Sequence, residues 1–203
     1  MVAHGLPIVT PGMRIGLFGG SFNPAHDGHR LVALECLKRL GLDKIWIMVS
    51  PGNPLKDHTE LAPLERRMAE TVKLMDDPRL EVTGFEAEHG FTYTWETLHF
   101  LTGAHRETQF VWIMGADSLQ NFDRWERWED IARMLPIAVY DRPPSGATAT
   151  SGKAAIALEP FRLREAEAKT LAGRQPPVWV YLHGVVSTAS STAIRQARTL
   201  APP

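Results

Sequence analysis

Directly after the apolar run Arg14-Ile15-Gly16-Leu17-Phe18 stands Gly19-Gly20-Ser21-Phe22-Asn23-Pro24-Ala25-His26-Asp27-Gly28-His29. Two glycines at a strand end let a nucleotide approach the backbone, with peptide N–H groups turned to phosphate. Pro24 stiffens the turn, and Gly28 sits where the next helix begins. His26 and His29, three apart at that helix start, add imidazole donors where the helix dipole already attracts anions. The glycine spacing fits neither a Walker A loop nor a GxGxxG fingerprint. A zinc site is not expected, because no nearby Cys or third His completes a ligand set.

A second constellation lies near the other end of the chain, at Ser190-Ser191-Thr192-Ala193-Ile194-Arg195. Serines before a short closing helix cap backbone donors or hold a phosphate. Arg195, in the first turns of that helix, presents a guanidinium fork matched to phosphate oxygens. Four smaller signals lie between these two. Lys56 ends the turn Asn53-Pro54-Leu55-Lys56, Thr92-Tyr93-Thr94 opens a helix, Gly115-Ala116-Asp117-Ser118-Leu119 follows a strand with Trp125 beyond it, and Arg142 precedes Pro143 at another strand end. A carboxylate suits ribose hydroxyls better than phosphate, and an indole offers a flat face to a pyridine ring. Each signal alone also reads as an ordinary cap, core residue or solvated side chain.

The elements that must hold these residues alternate in type. Apolar runs at 14–18, 45–49, 80–85, 110–114, 137–140 and 178–182 read as strands, several without polar alternation, as in a sheet buried on both faces. Between them, helical spacing is expected over 28–40, 63–75, 94–101, 125–135 and 192–200. The alternation predicts an α/β fold with a Rossmann-like, doubly wound parallel sheet and right-handed crossovers. Its ligands belong beyond the carboxyl ends of the strands, at the switch in strand order. One domain is expected over residues 1–203. Residues 143–177 stand apart as a variable, mobile insertion bordering the site, with a helix over 162–171.

The 22 Lys+Arg against 23 Asp+Glu leave a net charge of −1, which argues against a broad grip on nucleic acid or anionic lipid. The single cysteine, Cys36, excludes an internal disulfide framework and reads as a plain buried thiol in a helix interior. With no signal-like N-terminus and no membrane-length apolar run, no membrane partner is expected and the cytoplasm is the default compartment.

The His26-x-Gly28-His29 segment, taken with the five glycine-turn residues before Pro24, resembles the signature of the HxGH nucleotidyltransferases. Within them the chain is most similar to bacterial nicotinate-nucleotide adenylyltransferases. Ser190–Arg195 resembles that family's ISSTxIR stretch, Thr92–Thr94 its (S/T)YT stretch, and Gly115–Leu119 with Trp125 its GxDxL…W stretch. Ala189 departs from the usual Ile, and Leu55 stands where the family often has His.

The resemblance implies adenylyl transfer from ATP to nicotinate mononucleotide, with Mg²⁺ held mainly by the substrate phosphates. His26, His29 and Arg195 would be the catalytic residues. Gly19, Gly20, Ser21, Phe22, Ser191 and Thr192 would join them around ATP, and Lys56, Thr92, Tyr93, Asp117, Trp125 and Arg142 would hold the mononucleotide. Sibling HxGH transferases share the first stretch and lack the later ones. A non-catalytic nucleotide sensor would be expected to have lost His29 or Arg195. The oligomeric state is left open.

Overall fold

In the computed structural model, residues 5–52, 61–141, 146–184 and 190–200 are described. Seven strands form one sheet: β1 (Arg14–Gly20), β2 (Lys44–Val49), β3 (Leu80–Thr83), β4 (Gln109–Gly115), β5 (Ile137–Tyr140), β6 (Arg162–Leu163) and β7 (Trp179–Leu182). Their spatial order is β3-β2-β1-β4-β5-β7-β6, and every pairing is parallel. The chain therefore leaves β1 toward one edge, through β2 and β3, and crosses back to β4. That reversal puts the switch point between β1 and β4, with Gly20 and Gly115 at the strand ends facing it.

The connections are α1 (Asp27–Arg39), α2 (Leu64–Leu74), α3 (Phe85–His89), α4 (Thr94–Ala104), α5 (Ala116–Gln120), α6 (Trp128–Met134), α7 (Gly146–Ala149), α8 (Lys153–Leu158) and α9 (Ser191–Leu200). Tight 3₁₀ turns lie at Phe122–Arg124, Glu159–Phe161 and Glu165–Gly173. Both sheet faces are covered, which is why the strands lack alternation. Leu17, Trp46, Trp112 and Trp179 lie in the core on one face, while Ile45, Ile47, Val111, Ile113 and Val180 lie in the core on the other. Cys36 is fully buried in α1, and loss of water pushes its thiol pKa up to about 12.

Three expected boundaries differ. The strand at 80–85 ends at Thr83, whose hydroxyl accepts the Phe85 N–H at 3.2 Å and so starts α3. The helix expected from Trp125 begins at Trp128, because Arg127 adopts a left-handed backbone (φ 54°) and Trp125 is extended. Trp125 thus stands on a loop. The helix expected over 162–171 is split: Arg162 and Leu163 pair with Trp179 and Val180 as the edge strand β6, and a 3₁₀ run follows. The Arg162 guanidinium lies over the Trp179 and Tyr181 rings, which holds this pair of residues to the sheet.

Within the expected insertion, part of the described chain is built into the core. Ala149, Ala154, Ala155 and Leu158 are buried, and the Trp179 indole N–H donates to the Leu158 carbonyl at 2.8 Å. Gly152 lies so close to the Gln120 backbone that a Cβ there would stand 3.1 Å from its carbonyl oxygen. Among the described residues, no helix is long and apolar enough to cross a membrane.

Candidate active site

The β1 strand ends in the glycine pair, and the next residues form a turn whose carbonyls face inward. The Gly20 carbonyl accepts the Ser50 N–H at 2.9 Å, and the Ser21 carbonyl accepts from Arg67 at 2.7 Å. Phe22 has a left-handed backbone (φ 45°) and is buried, with its ring edge-on to Phe18 and to His29. Gly19 must be glycine for a concrete reason: a Cβ there would lie 2.7 Å from the Trp112 ring.

His26 is the N-cap of α1 in extended conformation and is buried. Its backbone N–H donates to His29 Nδ1 at 3.2 Å, while the His29 N–H donates to the His26 carbonyl at 2.8 Å. An imidazole whose Nδ1 accepts carries its proton on Nε2 in the neutral form. His29 is thereby set as an Nε2–H donor, with the two rings overlapping at a centroid separation of 3.8 Å. Asp27, between them, is exposed.

The closing helix docks onto this turn. The Ser191 hydroxyl donates to the Pro24 carbonyl at 2.9 Å, and Arg195 Nη1 donates to the Asn23 carbonyl at 2.8 Å. Two stretches 167 to 172 residues apart in sequence thus meet at Asn23-Pro24. The Ser191 hydroxyl proton is used by this clasp, so its role is to seat α9. One Arg195 nitrogen is similarly engaged, and the guanidinium carries further donors. Thr192 is exposed on the same first turn.

The second group of expected residues gathers on the β4 side. Asp117 is in the first turn of α5, immediately after Gly115. Trp125 is half-buried and packs edge-on against Trp112 and Phe122. Tyr93 is the 41% exposed N-cap of α4. Arg127, two residues after Trp125, places its guanidinium 3.8 Å from the centre of Trp95 in the first turn of α4, which ties this helix start to the Trp125 loop. Trp112 joins the two groups, since it touches the Gly19 position on one side and Trp125 on the other. The Thr92 and Tyr93 N–H groups both donate to the Glu96 carboxylate, at 2.8 and 2.9 Å. Lys56 and Arg142 lie outside the described residues.

Arg67 is absent from the sequence-level set. It reads there as one of two surface arginines in Leu64-Glu65-Arg66-Arg67-Met68, yet it is only 2% exposed. Its position on the same helical face as Leu64, Met68 and Thr71 is the signal that marks it as inward-facing.

Among the described residues, no group of three or more His, Cys, Asp or Glu side chains is placed to hold a metal ion. The site is a set of donors: imidazoles, guanidinium, peptide N–H groups and two helix N-termini. Such a set binds and neutralises phosphate.

A seven-stranded parallel sheet with this donor-lined switch point is the frame of a nucleotidyltransferase, and the cytidylyltransferase-like family matches residues 17–197. The chain is 54% identical over 183 residues to the probable nicotinate-nucleotide adenylyltransferase of Methylorubrum extorquens (strain PA1), covering 90% of this chain and 99% of that protein. It is 51% identical over 187 residues to the one of the same description from Rhizobium meliloti (strain 1021), covering 92% and 100%. The fold is also that of Plasmodium falciparum nicotinic acid mononucleotide adenylyltransferase complexed with NaAD (TM-score 0.65, 16% identity, 91% of this chain and 83% of that one). The chain belongs to the nicotinate-nucleotide adenylyltransferase family, within the cytidylyltransferase-like fold family.

Proposed function

We propose that this protein transfers the adenylyl group of ATP to nicotinate mononucleotide, giving nicotinate adenine dinucleotide and pyrophosphate in NAD biosynthesis. A 5′-phosphate oxygen of the mononucleotide attacks the α-phosphorus of ATP. The new P–O bond forms as the bond between Pα and the bridging oxygen breaks, and pyrophosphate leaves with the electron pair. A phosphate monoester is already nucleophilic at neutral pH, so the protein needs no general base. Its tasks are to align two polyanions and to neutralise charge on the leaving group. Magnesium, held mainly by the substrate phosphates rather than by protein ligands, would supply further neutralisation of their charge.

The observation that carries this reading is the docking of the start of α9, through Ser191 and Arg195, onto the Asn23-Pro24 turn that leads into α1, where the His26 N–H sets His29 as a donor. His26 and His29 act on the α- and β-phosphates, and Arg195 on the β- and γ-phosphates. Gly19, Gly20, Ser21 and Phe22 frame the nucleotides. Ser191 seats α9 through the Pro24 carbonyl, and Thr192 helps Arg195 on the ATP phosphates. Asp117 takes ribose hydroxyls, Trp125 and Tyr93 flank the pyridine ring, and Lys56, Thr92 and Arg142 complete the mononucleotide side.

Because Glu96 occupies the Thr92 and Tyr93 N–H groups, the nicotinate carboxylate meets the next amides, Thr94 and Trp95, which have no partner within a helix's first turn. The test is pyrophosphate release with Mg-ATP and either nicotinate or nicotinamide mononucleotide. Preference for the acid is expected. Equal use of both would overturn the carboxylate assignment, and turnover only with another phosphate monoester would overturn the reaction.

A further inference from the structure

Arg67 projects from α2 into the protein, beneath the glycine turn. Its Nε donates to the Ala62 carbonyl at 2.8 Å, Nη1 to the Ser21 and Ser50 carbonyls at 2.7 and 2.8 Å, and Nη2 to the Pro51 carbonyl at 3.3 Å. Three separate stretches of backbone are therefore tied to one side chain: the turn after β1, the end of β2, and the residues leading into α2. A second tie joins the first and third of these, since the Asn23 side-chain oxygen accepts the Ala62 N–H at 3.2 Å.

Among the described residues, no carboxylate forms an ion pair with Arg67. A buried guanidinium is costly without a counter-ion; four backbone carbonyls offset part of that cost, and the charge of Glu65 opposes it from a distance. If stability alone were at stake, an apolar side chain of similar volume would serve as well. A buried cation next to a turn that faces phosphate has a different use.

The geometry of the turn says what it is. In a trans peptide the C=O and the following N–H point in opposite directions. Holding the Ser21 carbonyl toward Arg67 therefore aims the Phe22 N–H to the other side of the turn. Phe22 has a positive φ (45°) within this turn, and turns of this kind can gather successive N–H groups into an anion-binding concavity. Rotating the Ser21–Phe22 peptide would release the Arg67 bond and turn the Phe22 N–H away.

We propose that Arg67 is a positioning residue of the adenylyl-transfer site: it locks the Ser21–Phe22 peptide so that the Phe22 N–H faces the substrate phosphates, and it supplies a positive charge behind that turn. The role rests on the reaction proposed above. Burial also draws the Arg67 pKa below the usual arginine value, with the Glu65 charge acting against that shift.

The test compares Arg67→Lys and Arg67→Met with the wild type. Lysine keeps the charge but cannot bridge all three segments in one plane. Arg67→Lys is expected to keep KM for Mg-ATP within about threefold and to lose at least about tenfold in kcat, whereas Arg67→Met loses in both. Binding of inorganic tripolyphosphate, measured by calorimetry, should weaken in Arg67→Met more than in Arg67→Lys. That binding does not depend on which mononucleotide is used, so it separates failure of this proposal from failure of the reaction assignment.

Wild-type kcat and KM in folded variants, with only a lowered Tm, would overturn the role. The wild-type protein offers a measurement that no folding defect can obscure. The Arg67 Nε–H is expected as a slowly exchanging ¹⁵N resonance that shifts on titration with tripolyphosphate. A resonance that does not move at saturation would overturn the proposal as well.

Discussion

His29 carries two separable duties, and two amide substitutions divide them. Its Nδ1 accepts the His26 N–H at 3.2 Å, a helix-start bond, and its Nε2–H is the donor assigned to phosphate. In His29→Asn, the amide can place its oxygen near the Nδ1 position and nothing near Nε2. In His29→Gln, the longer side chain can bring its NH₂ near the Nε2 position and leaves the His26 N–H without its acceptor. Loss of one transition-state donor costs about 10² to 10³ in kcat, roughly 3–4 kcal/mol. Loss of a helix-capping bond costs about 0.5–2 kcal/mol of stability. For a chain of this size that is a Tm change of about 2–4 °C per kcal/mol. Both variants lose the ring contact to Phe22, so that cost cancels in the comparison. His29→Asn is therefore expected to melt above His29→Gln and to turn over at least about 100-fold more slowly than the wild type, while His29→Gln keeps more of kcat. The assays are pyrophosphate release and calorimetric melting on the same preparations. If His29→Asn were the faster enzyme, the assignment of the two ring nitrogens would be wrong.

Two further perturbations test the frame around the site. Gly19→Ala drives a methyl into the ring of Trp112, which is 3% exposed and has little room to retreat. Overpacking of this kind costs about 1–3 kcal/mol, and because Trp112 also supports Trp125, KM for the mononucleotide should rise. Pairing it with Trp112→Phe should recover part of both losses, and simple additivity of the two substitutions would refute the contact. Glu86 has its pKa raised from 4.5 to about 7, chiefly by burial, while its carboxyl accepts the Thr97 hydroxyl at 2.7 Å. A folded pKa above the unfolded one gives stability that is complete below about pH 4.5 and is lost as pH rises through about pH 7. Glu86→Gln removes that dependence, so above pH 7 the variant should be the more stable by about 1–3 kcal/mol. Parallel melting profiles for variant and wild type across this range would show that Glu86 does not titrate as described.

What could be read in the sequence follows the range of the forces involved. The unbroken apolar strands and the glycine turn are local patterns, and their consequence, a buried parallel sheet with Gly20 and Gly115 at strand ends beside the switch in strand order, holds in the structure. The helix expected over 162–171 failed because pairing with β7 and the rings of Trp179 and Tyr181, both distant in sequence, outweighs local helix propensity there. Trp125 was placed on a helix that in fact starts three residues later, because a left-handed arginine carries no strong compositional mark. Arg67 escaped notice since a charged residue in a charged helix reads as solvated, and only its partners on three other stretches of chain show otherwise.

The division of labour within single side chains explains why the motifs are dense in multivalent groups. A residue that seats an element must use hydrogen-bonding capacity to do so, and whatever remains is available to substrate. Ser191 has one proton, gives it to the Pro24 carbonyl, and is left as a clasp. His29 has two nitrogens and uses Nδ1 on the backbone, which fixes Nε2 as the protonated one in the neutral ring. Arg195 has five donors, and its Nη1 is given to the Asn23 carbonyl. A lysine at 195 could hold the turn or meet the phosphates, but its three donors radiate from one atom and cannot face both at fixed geometry. The order of expected damage follows from this count. Ser191→Ala should loosen α9 and weaken ATP binding without changing the chemistry, and Arg195→Lys should impair both docking and turnover. The two effects have one physical origin, since the helix that carries the guanidinium is held by the same turn that the guanidinium helps to complete.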